Sequence, residues 1–203
     1  MLGIELDVDQ YLQRLQAELA RVDRDRVGEL AGLIYRAWED ERFVFLFGNG
    51  GSATTCSHLA EDLGKNCLTD DALDYRSNEH FRRLKVMSLT DNTGWITAVA
   101  NDYGYEEVFV QQLMHYARPG DLAVAISGSG NSPNVLAAVD WANRHGLTTF
   151  GMTGYDGGKL KQMQQTGLHV DLRDMAMVES IHLAVWHWIV DDLHGRITGK
   201  KPI

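Results

Sequence analysis

Five short, continuously apolar segments alternate with helical stretches, and this alternation constrains the fold more than any other feature. The apolar segments are 43–47, 85–89, 122–127, 148–152 and 168–172. Between them the sequence predicts helices over 52–66, 94–101, 106–117, 133–145 and 157–165, then a long final helix over about 177–193. Strands that are buried on both faces are continuously apolar, and strand–helix alternation is typical of a parallel sheet. We therefore predict an α/β fold, a parallel sheet flanked by helices.

The first 40 residues have a different pattern, that of two amphipathic helices joined near residues 23–25. In the first, Leu12, Leu15 and Leu19 recur at spacings of three and four, which places them on one face of a helix. Such a helical pair packs on its own domain or on a partner subunit. We expect one domain over 1–203, with the helical pair over 1–40 and an α/β core over 41–203. The polar, aperiodic segment 67–84 predicts a long surface loop.

Composition excludes some classes of function. The 203 residues carry a formal net charge of -9, which argues against a nucleic-acid surface because such surfaces depend on Lys and Arg. The sequence has neither the basic and apolar start of a signal peptide nor an apolar run long enough to cross a membrane. The two cysteines, Cys56 and Cys67, fit a reducing compartment. We predict a cytoplasmic protein that binds neither nucleic acid nor membrane.

Two strand-exit loops have the chemistry of an anion site. The first loop, "GNGGS" over 48–52, and the second loop, "ISGSGNS" over 126–132, each leave a predicted strand and enter a helix. Glycines allow backbone amides to face a ligand, serine hydroxyls add donors, and the helix N-terminus has a partial positive charge. We expect Ser52 and Ser132 to cap the two helices. Neither loop matches a nucleotide-binding pattern. Together the loops favour a phosphorylated small ligand.

A second candidate site combines two carboxylates with two imidazoles. His58 and Asp62 are four residues apart, and Glu179 and His187 are eight apart on the last helix. Such a set suits a divalent metal or general acid–base catalysis. The alternative is that each histidine is an ordinary core residue. His182 is the ambiguous member of this helix.

As a set, the motifs resemble the sugar isomerase (SIS) domain family, and within it the phosphoheptose isomerases. The motifs are "GNGGS" (48–52), "HLAED" (58–62), "LTDN" (89–92), "NDYG" (101–104), "ISGSGNS" (126–132), "TGYDGG" (153–158) and "VESIHLAVWH" (178–187). The resemblance implies a five-stranded, flavodoxin-like three-layer sandwich and a homotetramer with active sites at subunit boundaries. It implies isomerisation of sedoheptulose 7-phosphate to the aldose heptose 7-phosphate through an enediol.

The resemblance also implies roles for residues of this chain. Asp62 would be the base and His187 the acid, with zinc held by His58, Asp62, Glu179 and His187. The substrate-binding positions implied are Asn49, Gly50, Gly51, Ser52, Asp91, Asn92, Ser127, Gly128, Ser129, Ser132 and Glu179.

Three positions depart from the family pattern, and they leave the identity of the phosphosugar open. Asp62 stands where the family has Glu, Glu179 where it has Gln, and Gly128 where many members have Thr. The alternatives are an isomerase for another phosphosugar and a non-catalytic SIS binding module of the replication initiator-associating type. A sugar-sensing SIS regulator is disfavoured because no helix-turn-helix segment accompanies the domain.

Overall fold

A computed structural model describes residues 6–68 and 82–200 of the chain, and a parallel sheet forms its centre. The strands are β1 (Phe43–Gly48), β2 (Lys85–Ser88), β3 (Leu122–Ser127), β4 (Thr148–Thr153) and β5 (Thr166–His169). Their order across the sheet is β2-β1-β3-β4-β5, and every neighbouring pair is parallel. The predicted five-stranded parallel sheet is therefore confirmed.

Eight α-helices accompany this sheet in the described part of the chain. They are α1 (Val8–Ala20), α2 (Arg24–Glu39), α3 (Gly51–Asn66), α4 (Thr93–Asp102), α5 (Val110–Tyr116), α6 (Pro133–Arg144), α7 (Leu160–Met163) and α8 (Met175–Thr198). A 3₁₀ turn, Tyr105–Glu107, precedes α5. Most of the predicted surface loop over 67–84 lies outside the described residues.

Both faces of the sheet are covered, which explains why the strand segments are continuously apolar. Val44 and Leu46 point into a core that they share with α2, α3 and α8. Phe45 and Phe47 point into a second core, built with α4, α5 and α6. Successive strand residues face opposite sides of a sheet, so a strand with a core on each side has no polar alternation. The result is the predicted arrangement of helix, sheet and helix layers.

Local turn chemistry accounts for the two largest differences from the predicted helices. The helix predicted over 157–165 is reduced to Leu160–Met163, because Gly157 and Gly158 have φ values of 88° and 53° that end any helical start there. The last helix begins earlier than predicted because the Asp174 side chain accepts a hydrogen bond from the Met177 amide. It continues to Thr198, before Gly199 in the left-handed conformation.

Helix α1 lies on the outside of the fold and is attached to the start of α8. It has no buried residue, and Val8 and Leu12 are 74% and 56% exposed. Arg14 forms an ion pair of 3.1 Å with Asp174, and the Tyr11 hydroxyl lies 3.3 Å from that of Ser180. Among the described helices, none is both long and apolar enough to cross a bilayer.

His182 is a core residue of α8, which answers the ambiguity left by its sequence context. Its side chain is 1% exposed, and neither ring nitrogen has a hydrogen-bond partner of normal geometry among the described residues. Burial lowers the pKa of His182 to about 4. The backbone of Thr153 raises this pKa and so offsets the desolvation only in part, whereas the nearby His169 lowers the pKa further. His182 is therefore neutral in the folded protein at neutral pH.

We predict that His182 makes the fold sensitive to acid between about pH 6.5 and pH 4. The unfolded chain takes up a proton on this ring near its ordinary pKa, and the folded chain does so only near pH 4. Stability is thus complete above pH 6.5 and is lost as pH falls, by about 3 kcal/mol for a shift of this size. The measurement is urea unfolding of wild type and His182→Leu at pH 7.5 and 4.5, at one protein concentration.

The substitution His115→Leu, at an exposed histidine, is the matched control. The wild type and the control should lose more stability on acidification than His182→Leu loses. Equal losses in all three proteins would show that the ring of His182 does not carry this effect.

Candidate functional site

The topology itself identifies a ligand site between β1 and β3. The chain passes from β1 to β2 on one side and returns to place β3 on the other side of β1. In an open parallel sheet with this strand order, the loops diverge at such a switch point and leave a crevice at the carboxyl ends of the strands. The first and second loops follow β1 and β3, so both border this crevice.

The first loop enters α3 through a glycine and not through the serine cap that we predicted. Gly50 is the N-cap, with φ 55° and ψ -124°, and no side chain caps this helix. Ser52 lies inside the first turn and is 5% exposed. The predicted capping role of Ser52 is therefore wrong. The first amides of a helix have no acceptor within it, so without a cap they are available to an anion.

The second loop also leaves its hydroxyl groups available. Ser132 is at the N-cap position of α6, as predicted, and Pro133 follows at the first helical position. However, the Ser132 hydroxyl makes no capping hydrogen bond. It lies 3.3 Å from the hydroxyl of Ser127, at the end of β3. Two hydroxyls thus face each other where the loop meets the helix N-terminus.

An amide pair joins the two loops, and the sequence analysis did not identify it. Asn49 and Asn134 exchange two side-chain hydrogen bonds, both of 2.9 Å. Asn134 is 1% exposed, and its oxygen also accepts from the Val135 amide. The Tyr105 hydroxyl donates to the Asn49 oxygen at 3.0 Å. A partly buried hydrogen-bond network of this kind fixes geometry, so it holds the first loop against the helix of the second.

The crevice is a cavity of about 240 Å³, which we call the switch-point pocket. All predicted substrate-binding residues except Asp91 and Asn92 line it, together with Ile126 and Met175. Asn92 instead caps α4, accepting from the Trp95 amide at 3.0 Å. The Asp91 carboxylate accepts hydrogen bonds from the hydroxyls of Ser57 and Thr90.

Three of the four predicted metal-binding residues lie together. The ligand atoms of His58, Asp62 and His187 are all within 4.8 Å of one another, and we call this group the His–Asp–His cluster. His58 Nε2 lies 3.1 Å from Asp62 Oδ2. The rings of His58 and His187 meet edge to face, with centroids 5.3 Å apart. Two imidazole nitrogens and a carboxylate oxygen are a donor set that suits zinc and similar metals.

Glu179 is the predicted ligand that does not join this cluster. It lines the switch-point pocket. Helix geometry gives the reason. Glu179 and His187 are eight residues apart, so their side chains are separated by roughly 12 Å along the helix axis and by about 80° around it. His58 and Asp62, four residues apart, are displaced by only about 6 Å and 40°.

The pocket and the cluster share two supports, α3 and α8. Along α3, His58 follows the pocket residue Ser52 by six residues, which is roughly 9 Å. Along α8, His187 follows Glu179 at roughly 12 Å. A molecule with an anionic group at one end and a reactive group at the other could therefore contact both sites.

Comparison with known proteins agrees with this geometry. A family model described as the SIS domain matches residues 10–154. The chain belongs to the SIS domain family. The phosphoheptose isomerase of Chlorobium phaeobacteroides is 37% identical over 189 residues, which are 93% of this chain and 80% of that protein.

Two solved phosphoheptose isomerases have the fold of this SIS domain. The Neisseria gonorrhoeae structure is 29% identical, with a TM-score of 0.78, over 89% of this chain and 91% of that chain. The Francisella tularensis structure is 25% identical, with a TM-score of 0.79, over 93% and 96%. The family resemblance inferred from the motifs is thus confirmed.

The cysteines of this SIS domain are not part of the site. Cys56 and Cys67 are both free and buried. Desolvation raises the pKa of the Cys56 thiol far above its usual range and that of Cys67 to about 12. Thiols in this state are poor nucleophiles and poor metal ligands. A metal role for Cys56, conceivable from its position two residues before His58, receives no support.

Proposed function

We propose that this chain is an aldose–ketose isomerase that converts sedoheptulose 7-phosphate to D-glycero-D-manno-heptose 7-phosphate. The observation that carries the proposal is the pairing of the switch-point pocket with the His–Asp–His cluster on α3 and α8. A phosphosugar has its phosphate and its carbonyl group near opposite ends, which suits two sites about 9–12 Å apart along helices. The names of the similar enzymes support the same reaction.

The switch-point pocket would bind the phosphate. Ser52, Ser127, Ser129 and Ser132 supply hydroxyl donors. The uncapped start of α3 supplies backbone amides, and the starts of α3 and α6 both supply partial positive charge. The Asn49–Asn134 pair keeps these donors in fixed positions. Fixed donors do not have to reorganise when the anion arrives, which is the main requirement for strong electrostatic binding.

The His–Asp–His cluster would perform the proton transfers. Asp62 removes a proton from C1 of the ketose, and the electron pair left behind forms the C1–C2 double bond of the enediol. His187 delivers a proton to the C2 oxygen and later takes one from the C1 hydroxyl, while Asp62 returns its proton to C2. The Asp62 oxygen not facing His58 accepts from the Asn66 amide at 3.0 Å, which holds the carboxylate in place.

We propose zinc as the metal of this site, held by His58, Asp62 and His187. The metal, when bound, would polarise the substrate oxygens and stabilise negative charge on them. Glu179 is left out of this ligand set because its carboxylate borders the switch-point pocket.

We also propose that the chain forms a homotetramer in the cytoplasm, with 1–203 as a single domain. The exposed apolar side chains of Val8 and Leu12 on α1, and of Trp188 on α8, support a subunit contact. The reduced state of both buried cysteines is compatible with a cytoplasmic location.

The first prediction from this proposal concerns turnover. Purified protein with zinc should isomerise sedoheptulose 7-phosphate, and Asp62→Asn and His187→Ala should each lower kcat/KM by about 10²-fold or more, the usual contribution of an acid or base. Asp140→Asn and His145→Ala, on an exposed stretch at α6, are matched controls and should retain activity. The measurement is formation of the aldose product over time.

The outcomes separate the alternatives. Turnover of a pentose or hexose phosphate in place of the heptose would assign another phosphosugar. No turnover of any of them by folded, zinc-containing protein would favour the non-catalytic binding module. Activity that survives both substitutions would refute the roles given to Asp62 and His187.

The second prediction concerns the metal itself. Dialysed protein should retain about one zinc per chain, and His58→Ala should lose it, because removing one of three ligands leaves a weak site. Elemental analysis and zinc titration measure this without any assay of activity. His145→Ala should keep its zinc. Equal zinc in His58→Ala and wild type would place the metal elsewhere.

The third prediction concerns assembly. Leu12→Glu puts a charge on the exposed apolar face of α1, so sedimentation should show smaller species than the wild-type tetramer. Gln16→Glu introduces the same charge at another exposed position of this helix and should leave the tetramer intact. A wild-type monomer, or an unaffected Leu12→Glu tetramer, would contradict the assignment of this face to a subunit contact.

A further inference from the structure

The side chain of Asn49 lines the switch-point pocket, and two residues outside the pocket hold its amide group. They are Asn134, in the first turn of α6, and Tyr105, in the 3₁₀ turn before α5. Neither is among the described residues that line the pocket. Asn49 is therefore the side chain through which both of them can affect a bound ligand.

A backbone amide decides the orientation of this network. The Val135 N–H can only donate, and it donates to the side-chain oxygen of Asn134 at 3.0 Å. This fixes the Asn134 amide, so that its nitrogen donates to the Asn49 oxygen and its oxygen accepts from the Asn49 nitrogen, both at 2.9 Å. Turning over either amide, or both, would set donor against donor. The orientation of the Asn49 amide thus follows from the Val135 N–H.

Tyr105 occupies the last acceptor site of the Asn49 oxygen. An amide oxygen has two lone pairs, and an amide nitrogen has two hydrogens. The Asn49 oxygen accepts from Asn134 at 2.9 Å and from the Tyr105 hydroxyl at 3.0 Å, which uses both lone pairs. One hydrogen of the nitrogen goes to Asn134, and no described residue accepts the other. The Asn49 side chain can therefore offer a ligand one N–H donor and no acceptor.

The orientation of this amide matters because the ligand proposed for the pocket is rich in acceptors. An N–H donor attracts an oxygen of a phosphate group, and such charge-assisted hydrogen bonds are the stronger ones. If Asn49 presented its oxygen, two acceptors with no hydrogen between them would repel each other. The network thus determines whether Asn49 attracts or repels an acceptor oxygen.

We propose that Tyr105 and Asn134 are positioning residues that make Asn49 a donor toward an acceptor oxygen of the bound phosphate ester. Asn134 orients the amide, and Tyr105 keeps its oxygen occupied, so the N–H is the group left for the ligand. This inference rests on the proposed function, because it assumes that the pocket binds a phosphosugar. Tyr105 is 56% exposed, so its hydroxyl can be removed without leaving a cavity in the core.

A double-mutant cycle tests this by isothermal titration of the full chain with D-glucitol 6-phosphate, an ester that cannot be isomerised. Asn49→Ala removes the donor and should weaken binding about tenfold or more. Tyr105→Phe removes only the hydroxyl and should weaken binding about fivefold, as expected for one neutral hydrogen bond. In the Asn49→Ala background, Tyr105→Phe should change binding by less than about twofold, because its effect passes through Asn49.

A third variant separates a donor role from simple packing. Asn49→Asp keeps the size of the side chain and puts an oxygen in place of the N–H donor. It should weaken binding more than Asn49→Ala does, because an acceptor then faces the acceptors of the ligand. Inorganic phosphate is the second ligand. If Asn49→Ala weakens its binding too, the N–H donates to the phosphate, and if only the ester is affected, it donates to an oxygen of the carbon chain.

Tyr103→Phe is the matched control, since it makes the same change at a nearby tyrosine that is 70% exposed. It should bind both ligands as wild type does. Zinc content and urea unfolding are measured for every protein, so that a loss of metal or of stability is not mistaken for a change in the network.

The outcomes distinguish this inference from the proposed function. The inference is overturned, and the phosphate pocket stands, if Tyr105→Phe binds the ester as wild type does or weakens binding equally with and without Asn49. It is also overturned if Asn49→Asp binds as tightly as wild type. If neither ligand binds the wild type, the phosphate pocket fails, and the inference fails with it.

Discussion

The contact on which the rest of the site depends is the close approach of α8 to the two strand-exit loops. Gly51 and Gly128 leave room for the Glu179 carboxylate and the Met175 thioether, and a Cβ atom at either glycine would force the end of that side chain to move. Since α8 is continuous to Thr198, its start also sets the position of His187, which lies roughly 12 Å beyond Glu179 along the helix. One packing contact thus positions the wall of the pocket and one member of the His–Asp–His cluster.

The start of α8 is held from outside the sheet. Asp174 caps the helix and pairs with Arg14 of α1, and both side chains are partly shielded, at 15% and 24% exposure. Further along, Trp186 is fully buried in the core shared with α2 and α3, which prevents the helix from sliding. The N-terminal helix, which buries no residue of its own, is therefore coupled to the pocket through Asp174. This coupling gives α1 a role at the site in addition to the subunit contact that we propose for it.

Local patterns predicted four strands closely and both loops because their causes are local: two-sided burial makes a strand continuously apolar, and glycine with serine is typical of an anion loop. The fifth strand, predicted over 168–172, lies instead at Thr166–His169. The features that the sequence did not predict depend mainly on contacts between distant parts of the chain. The Asn49–Asn134 pair spans 85 residues. Ser52 does not cap α3 because Gly50, two residues earlier, is the N-cap. Glu179 lies apart from the His–Asp–His cluster because a spacing of eight aligns poorly on a helix with 3.6 residues per turn.

The absence of basic side chains from the described lining of the pocket determines how the pocket can discriminate. A lysine or arginine attracts any anion nearby, and its long side chain adapts to many positions. Amides and hydroxyls held by helix starts and by the Asn49–Asn134 pair attract an anion only where their donors converge. In a chain of net charge -9, long-range attraction of anions is also weak. Recognition of an anion in this pocket would then come from the arrangement of the short-range donors that the two loops present.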